Sequence, residues 1–236
     1  MMKFCCYISI QTDGGEIVWD FANTRALLGS LTVWTVNFGT SPPTVKNITR
    51  IANSTIFNGI AAVPGSTKLI LAADSDIGAV WRVNINSGAY SIAFSDPLFA
   101  NTATGILGIN GIRIKGGYLY FTNSAQGIFG RVPIDGEGSK IGAAEVIANV
   151  PSGVVYDDFA IDDGGNTWIA SHPNEVVEVT PNGNQRIITN TTLLLNPTNS
   201  VFGRGNLKER KTLYVTNGGW FVGNDLVNGS VVAIST

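Results

Sequence analysis

The side chains of this sequence that could move a proton or hold a cation are few: one histidine, His172, two adjacent cysteines, Cys5 and Cys6, and 17 carboxylates. Their spacing sets several chemistries aside. The sequence has no Ser-His-Asp order, no His/Cys cluster at zinc-ligand spacing, no phosphate-cradling glycine loop and no dinucleotide fingerprint. Adjacent cysteines rarely bridge without strain, so Cys5 and Cys6 supply no disulfide framework. What recurs instead is a polar residue at the head of a short apolar run. Asn58, Asn110, Asp157 and Asn199 stand there, and Asp74, Asn123, His172 and Asn217 follow the next apolar run of each unit. Amide and carboxylate groups so placed suit hydrogen bonding to carbonyls and hydroxyls, and His172 is by position a proton donor or a hydrogen-bond partner. Asn and Asp before a strand also cap turns by accepting backbone N–H groups, which is the structural alternative for every member of both columns.

The elements that carry these residues repeat. Segments opening at Asn58, Asn110, Asp157 and Asn199 align with one another at intervals of roughly 40–50 residues, the period of propeller blades. Each starts with an apolar strand, then a turn such as Pro64-Gly65-Ser66, Lys115-Gly116-Gly117 or Asp162-Asp163-Gly164-Gly165, then a strand rich in β-formers such as Tyr118–Thr122 or Leu213–Thr216. A third strand and an outer fourth, such as Ala89–Phe94, complete the unit. No stretch has the period of an amphipathic helix. The expectation is an all-β β-propeller with four complete blades and a partial one. Residues 1–20 form an atypical N-terminal segment, and residues 21–236 a single propeller domain. Because alternate turns of an antiparallel blade share one end, the two polar columns should ring the mouth of a central channel.

Bulk composition agrees. With 44% hydrophobic residues the chain can fill a core, while 14% charged residues and a formal net charge of −2 leave no basic face for nucleic acid. Lys208-Glu209-Arg210-Lys211 reads as a solvated turn. No apolar run reaches the ~18 residues of a membrane span. Met1–Ile10 is short of a convincing signal peptide. Four sequons, at Asn47, Asn53, Asn190 and Asn228, point toward a secretory ancestry and N-glycosylation.

Tyr156-Asp-Asp-Phe-Ala-Ile-Asp162 before a Gly-Asn-Thr-Trp-Ile-Ala strand, and Thr198-Asn-Ser-Val-Phe-Gly203 before Leu213-Tyr-Val-Thr216, resemble the gluconolactonase and senescence-marker-protein family of six-bladed propellers. The resemblance implies a divalent cation such as Ca²⁺ at the channel mouth, with Asn110 and Asp157 matching two of its ligands and Asn58 a substrate contact. The family's Glu ligand has no counterpart, and Asp158 replaces its usual Gly. Phe57–Gly59, Ala73–Val83, Asn110–Asn123 and Asp157–Ala160 also resemble a fungal branch of the superfamily, typically secreted, that includes hetero-Diels–Alderases of secondary metabolism. That resemblance implies a cofactor-independent cyclase for a neutral, largely apolar small molecule. Asp157, His172 and Asn110 are then the catalytic candidates. Asn58, Asp74, Asn123, Asp158, Asn199 and Asn217 would line the site, with Tyr156 and Trp220 as aromatic walls. A metal-dependent lactonase and a non-catalytic binding propeller are the alternatives. Six blades need about 280 residues at this spacing, so the chain is short for the family. Oligomeric state is not legible.

Overall fold

The computed structural model describes the backbone of residues 2–8, 11–17, 19–20, 25–102, 107–222 and 225–236, and side chains over 27–102, 107–220 and 227–236. It is an all-β protein of the β-propeller class. The first sheet is built from β1 (Met2–Ile8), β2 (Gln11–Ile17), β5 (Thr32–Asn37) and β6 (Thr44–Arg50), in that order, with a short hairpin of β3 (Trp19–Asp20) and β4 (Arg25–Ala26) between β2 and β5. The second runs β7 (Phe57–Ala62), β8 (Leu69–Asp74), β9 (Ala79–Asn84) and β10 (Tyr90–Ser95). The third holds β11 (Ile109–Lys115), β12 (Tyr118–Asn123), β13 (Ile128–Pro133) and β14 (Glu145–Asn149). The fourth holds β15 (Val155–Ile161), β16 (Thr167–His172), β17 (Glu175–Val179) and β18 (Gln185–Asn190). A last sheet has three strands, β19 (Pro197–Phe202), β20 (Thr212–Asn217) and β23 (Ser230–Ser235), beside the hairpin of β21 (Trp220–Val222) and β22 (Asp225–Val227). The count of four full blades and one partial blade agrees with the repeat, but the short blade is the one that contains Asn199 and the N-terminal sheet is complete. Met2–Ile17 supplies two strands of the first sheet, and the short sheet is the last.

Each sheet is an antiparallel meander whose turns follow from their residues. Lys115-Gly116-Gly117 closes β11 onto β12 because Gly116 and Gly117 take φ of 58° and 78°, a pair of left-handed conformations that a two-residue hairpin demands. Inner and middle strands are largely buried, polar residues included. All of β17 is buried, as is β16 up to His172, while the outer strands β6, β10 and β18 are mostly exposed. That gradient is what a sheet edge at the surface requires. The expected absence of long helices holds among the described residues. The Lys208–Lys211 segment is nevertheless not a plain turn: Leu207–Arg210 forms one helical turn, α1, started by Asn206, whose side chain accepts from the N–H groups of Lys208 and Glu209.

The chain divides into two compact units. Unit 1 comprises residues 1–126 and 131–144, and unit 2 residues 127–130 and 145–236. Unit 1 has a core of Leu31, Val33, Ile51, Phe57, Ile60, Ile70, Trp81 and Val83. Unit 2 has one of Ala160, Trp168, Val176, Leu194, Leu213 and Val215. Edge-on aromatic contacts reinforce each: Phe99 with Phe121 at 4.9 Å in unit 1, and Phe129 with Phe159 at 5.4 Å in unit 2.

Candidate functional site

The first polar column falls on one recurring backbone irregularity. In β7 the register jumps between Phe57 and Ile60, so Asn58 and Gly59 together face Ala73. In β11 the jump between Ile109 and Ile112 sets Asn110 and Gly111 against Thr122, and in β15 the jump between Tyr156 and Phe159 sets Asp157 and Asp158 against Ala170. A bulge of this kind leaves one residue out of the ladder and re-aims its side chain. In β19 the inserted residue is Thr198, between Pro197 and Asn199. Thr198 therefore holds the position of Asn58, Asn110 and Asp157, and Asn199 stands one step further, where the other blades carry Gly59, Gly111 and Asp158. The second column needs the same adjustment. Asp74, Asn123 and Asn217 pair with Phe57, Ile109 and Pro197, but the equivalent partner of Tyr156 is Ser171, and His172 lies one residue on, opposite Val155.

In unit 1 most of these groups are structural. Asp74 is fully buried and every lone pair is used: Oδ2 accepts from the Ser54 hydroxyl at 2.7 Å and the Trp81 indole at 3.1 Å, and Oδ1 from the N–H groups of Asp76 and Ile77. Burial nevertheless raises its pKa above the ordinary carboxylate value, and the four hydrogen bonds only partly offset that. Asn123 is a turn pin, donating to the carbonyls of Leu98 and Ala100 and accepting from the N–H of Gln126. Neither is free to meet a ligand, against the expectation from sequence. Asn110 is 2% exposed; its Nδ2 donates to the Ser124 hydroxyl at 2.9 Å, while its Oδ1 is buried without a hydrogen-bond partner. Asn58 is half-buried. Gly59 keeps the bulge of β7 close to β11: a Cβ there would collide with the Ile112 nitrogen and lie 2.7 Å from the Asn110 oxygen.

Unit 2 holds the pair with chemical potential. His172 Nε2 lies 3.3 Å from Asp157 Oδ2, at the same end of neighbouring strands, with both side chains partly open to solvent. The contact is within ion-pair distance but outside hydrogen-bond alignment, so Nε2 has no hydrogen bond as placed. Next to His172 in β16, Ser171 is fully buried with an unpaired hydroxyl oxygen. Asp158 is buried and accepts from the N–H of Phe159. Asn217 donates to the Leu193 carbonyl and the Ser230 hydroxyl, with its Oδ1 buried and unpaired. Tyr156 is no wall of an open site. It is fully buried, its hydroxyl donates to Gln185, and burial next to Glu175 pushes its pKa up to about 12. Trp220 is the opposite case, 61% exposed. The sequence reading missed Ser54, Ser171 and Thr198, because a small hydroxyl residue carries no pattern of its own until strand register is known.

Among the described residues no three His, Cys, Asp or Glu side chains cluster, and the Asp157 carboxylate already faces an imidazole. A hard cation prefers six or more oxygen donors, several of them carboxylate. The four sequon asparagines, Asn47, Asn53, Asn190 and Asn228, are all exposed.

The family model for the SMP-30/gluconolactonase/LRE-like region matches residues 88–219. A protein of Phoma sp named as a hetero-Diels-Alderase is 27% identical over 200 residues, covering 75% of this chain and 56% of its own length. A second protein so named, from Sarocladium schorii, is 26% identical over 138 residues, 50% of this chain and 34% of its own. The chain thus spans about half and a third of these two relatives. Among solved structures, the calcium-binding protein regucalcin of Agrobacterium tumefaciens superposes with a TM-score of 0.59 at 17% identity, over 88% of this chain and 78% of its own. That likeness concerns the fold alone.

Proposed function

Because this chain belongs to the SMP-30/gluconolactonase/LRE-like family, we propose that it is a small-molecule-binding propeller enzyme that promotes a hetero-Diels–Alder cyclisation. Its relatives named for that activity support the reaction class. The observation that carries the site is the Asp157–His172 pair, an acid–base couple held where two strands of one blade end. Such a cycloaddition joins an oxadiene to an alkene by one C–C and one C–O bond and expels nothing. It asks for no nucleophile and no leaving-group acid, only for two fragments held close and a donor on the developing oxyanion. His172 can supply that donor, and its Nδ1 is the ring nitrogen not turned toward the carboxylate. We take the substrate to be neutral and mostly apolar. The reaction is taken to run without a resident cation, as a cycloaddition needs only positioning and a hydrogen-bond donor.

The test uses the purified chain with an ortho-quinone methide and a polyene, measured against the spontaneous reaction. Asp157→Asn and His172→Gln are expected to lower the rate enhancement by roughly 10–100-fold with the β-sheet circular dichroism unchanged. Full activity in both variants would sink the proposal. Hydrolysis of a sugar lactone, dependent on added Ca²⁺ and lost in Asp157→Asn, would favour the lactonase alternative. Calorimetry with CaCl₂ is expected to show no micromolar binding.

A further inference from the structure

We propose that unit 2 carries a second small-molecule site, for an organic anion with a flat apolar body and one carboxylate, at the end of its blades opposite the Asp157–His172 pair. A cavity of about 490 Å³ opens there, within the size range of ligand pockets. Its place follows from strand direction. Asp157 lies near the start of β15 and the cavity begins at its end, at Ile161 and Asp162, five residues and roughly 15 Å along the strand. Trp168, at the start of β16, and Phe202, at the end of β19, meet edge-to-face at 5.7 Å and form an aromatic wall. The rim is cationic, with Arg204, Arg210 and Lys211 against Asp162 and Asp163.

The two acids do not cancel the three bases equally. Asp162 is committed to its own turn, accepting from the Asn166 N–H at 2.9 Å, the Asn166 amide at 3.1 Å and the Trp168 indole at 3.1 Å. These bonds also occupy the one polar atom of the tryptophan, so the wall offers only apolar surface. Arg210 is tied through Nε alone, to the Gly205 carbonyl, and the Lys211 ammonium has no partner among the described residues. The Lys211 backbone is fixed by two bonds from Thr236, whose N–H and hydroxyl both donate to its carbonyl at 2.9 Å. In a chain of net charge −2, cations gathered over an aromatic wall select a negatively charged headgroup on an apolar body.

Two probes separate charge from shape: 2-naphthoate and its neutral analogue 2-naphthalenemethanol, titrated calorimetrically into the whole chain. The expected result is saturable naphthoate binding below about 1 mM, with the alcohol at least roughly fivefold weaker. Arg210→Gln combined with Lys211→Gln is expected to weaken naphthoate at least fivefold, and Asp157→Asn to leave it unchanged. Should the double variant fail to fold, Lys211→Gln alone and a rise from 50 to 500 mM NaCl give the same reading, both weakening naphthoate only. Equal binding of the two probes, no saturable binding, or indifference to Arg210 and Lys211 would overturn the proposal. Loss of naphthoate binding in Asp157→Asn alone would place the site at the other end and also overturn it. The cyclisation assay is independent, so either reading can fail without the other.

Discussion

Asp74 and Asp157 close neighbouring columns of the same repeat and are put to opposite uses. Asp74 is a buried knot joining Ser54, Trp81 and the turn after β8, whereas Asp157 is part-open and faces an imidazole. Asp74→Ala would leave two buried donors orphaned and is expected to cost about 3 kcal/mol in urea unfolding. Its pH signature runs against the usual carboxylate trend. The folded pKa is raised, so the native state holds the proton more tightly. The contribution of Asp74 is therefore complete below the unfolded value near 3.9 and declines as pH rises through the folded one. Asp74→Asn should remove that slope while lowering stability at every pH. Tyr156 supplies a second check: absorbance at 295 nm should show one phenol un-ionised until about pH 12 and absent in Tyr156→Phe, with stability falling as pH rises from 10 through that value. The sequence placed both aspartates in the right columns but could not tell pin from ligand. That distinction depends on which donors arrive from other strands, such as Ser54, twenty residues away. His172 and Asn199 were each one residue out of register, since a bulge shifts pairing without altering the apolar pattern that reveals a strand.

At the scale of the element, the strands and turns were legible because their signals are local. Gly116-Gly117 fixes a hairpin, and alternating β-formers fix β12. The bulges were not, since two polar residues at the head of a strand look the same whether paired or inserted. Gly59 is the element's tightest point, where the bulge of β7 meets the backbone of β11. Gly59→Ala is expected to destabilise unit 1 by about 2–4 kcal/mol, read as a fall in urea midpoint. Gly65→Ala serves as contrast: a Cβ there meets nothing within 4 Å, leaving only the smaller backbone cost of its φ of 80°. The helical turn α1 escaped notice because four residues give too little period to see, although Asn206 followed three residues later by Glu209 is a capping pattern.

For the whole molecule, repetition at the blade period made the class readable, and Met2–Ile17 escaped because it lacks an Asn-headed strand. What the repeat does not encode is the reaction, since one fold hosts many functions and the side chains of the site decide among them. The low charge density has a measurable effect at this scale. With an isoelectric point near 5.3 and apolar side chains such as Ile92, Ile187 and Val231 on outer strands, solubility should be least close to pH 5.3. Ile92→Lys is expected to raise it, in precipitation assays, with the melting temperature little changed.

The inserted residue of four inner strands has a further meaning for how such a protein changes over generations. Asn58, Asn110, Asp157 and Thr198 give three different residues at one address, and because none is a rung of the ladder, exchanging them leaves the rungs intact. Heredity can edit these letters without rewriting the page. A library randomised at Asn58, Asp157 and Thr198, leaving the buried Asn110 in place, should stay largely folded while its ligand preferences scatter.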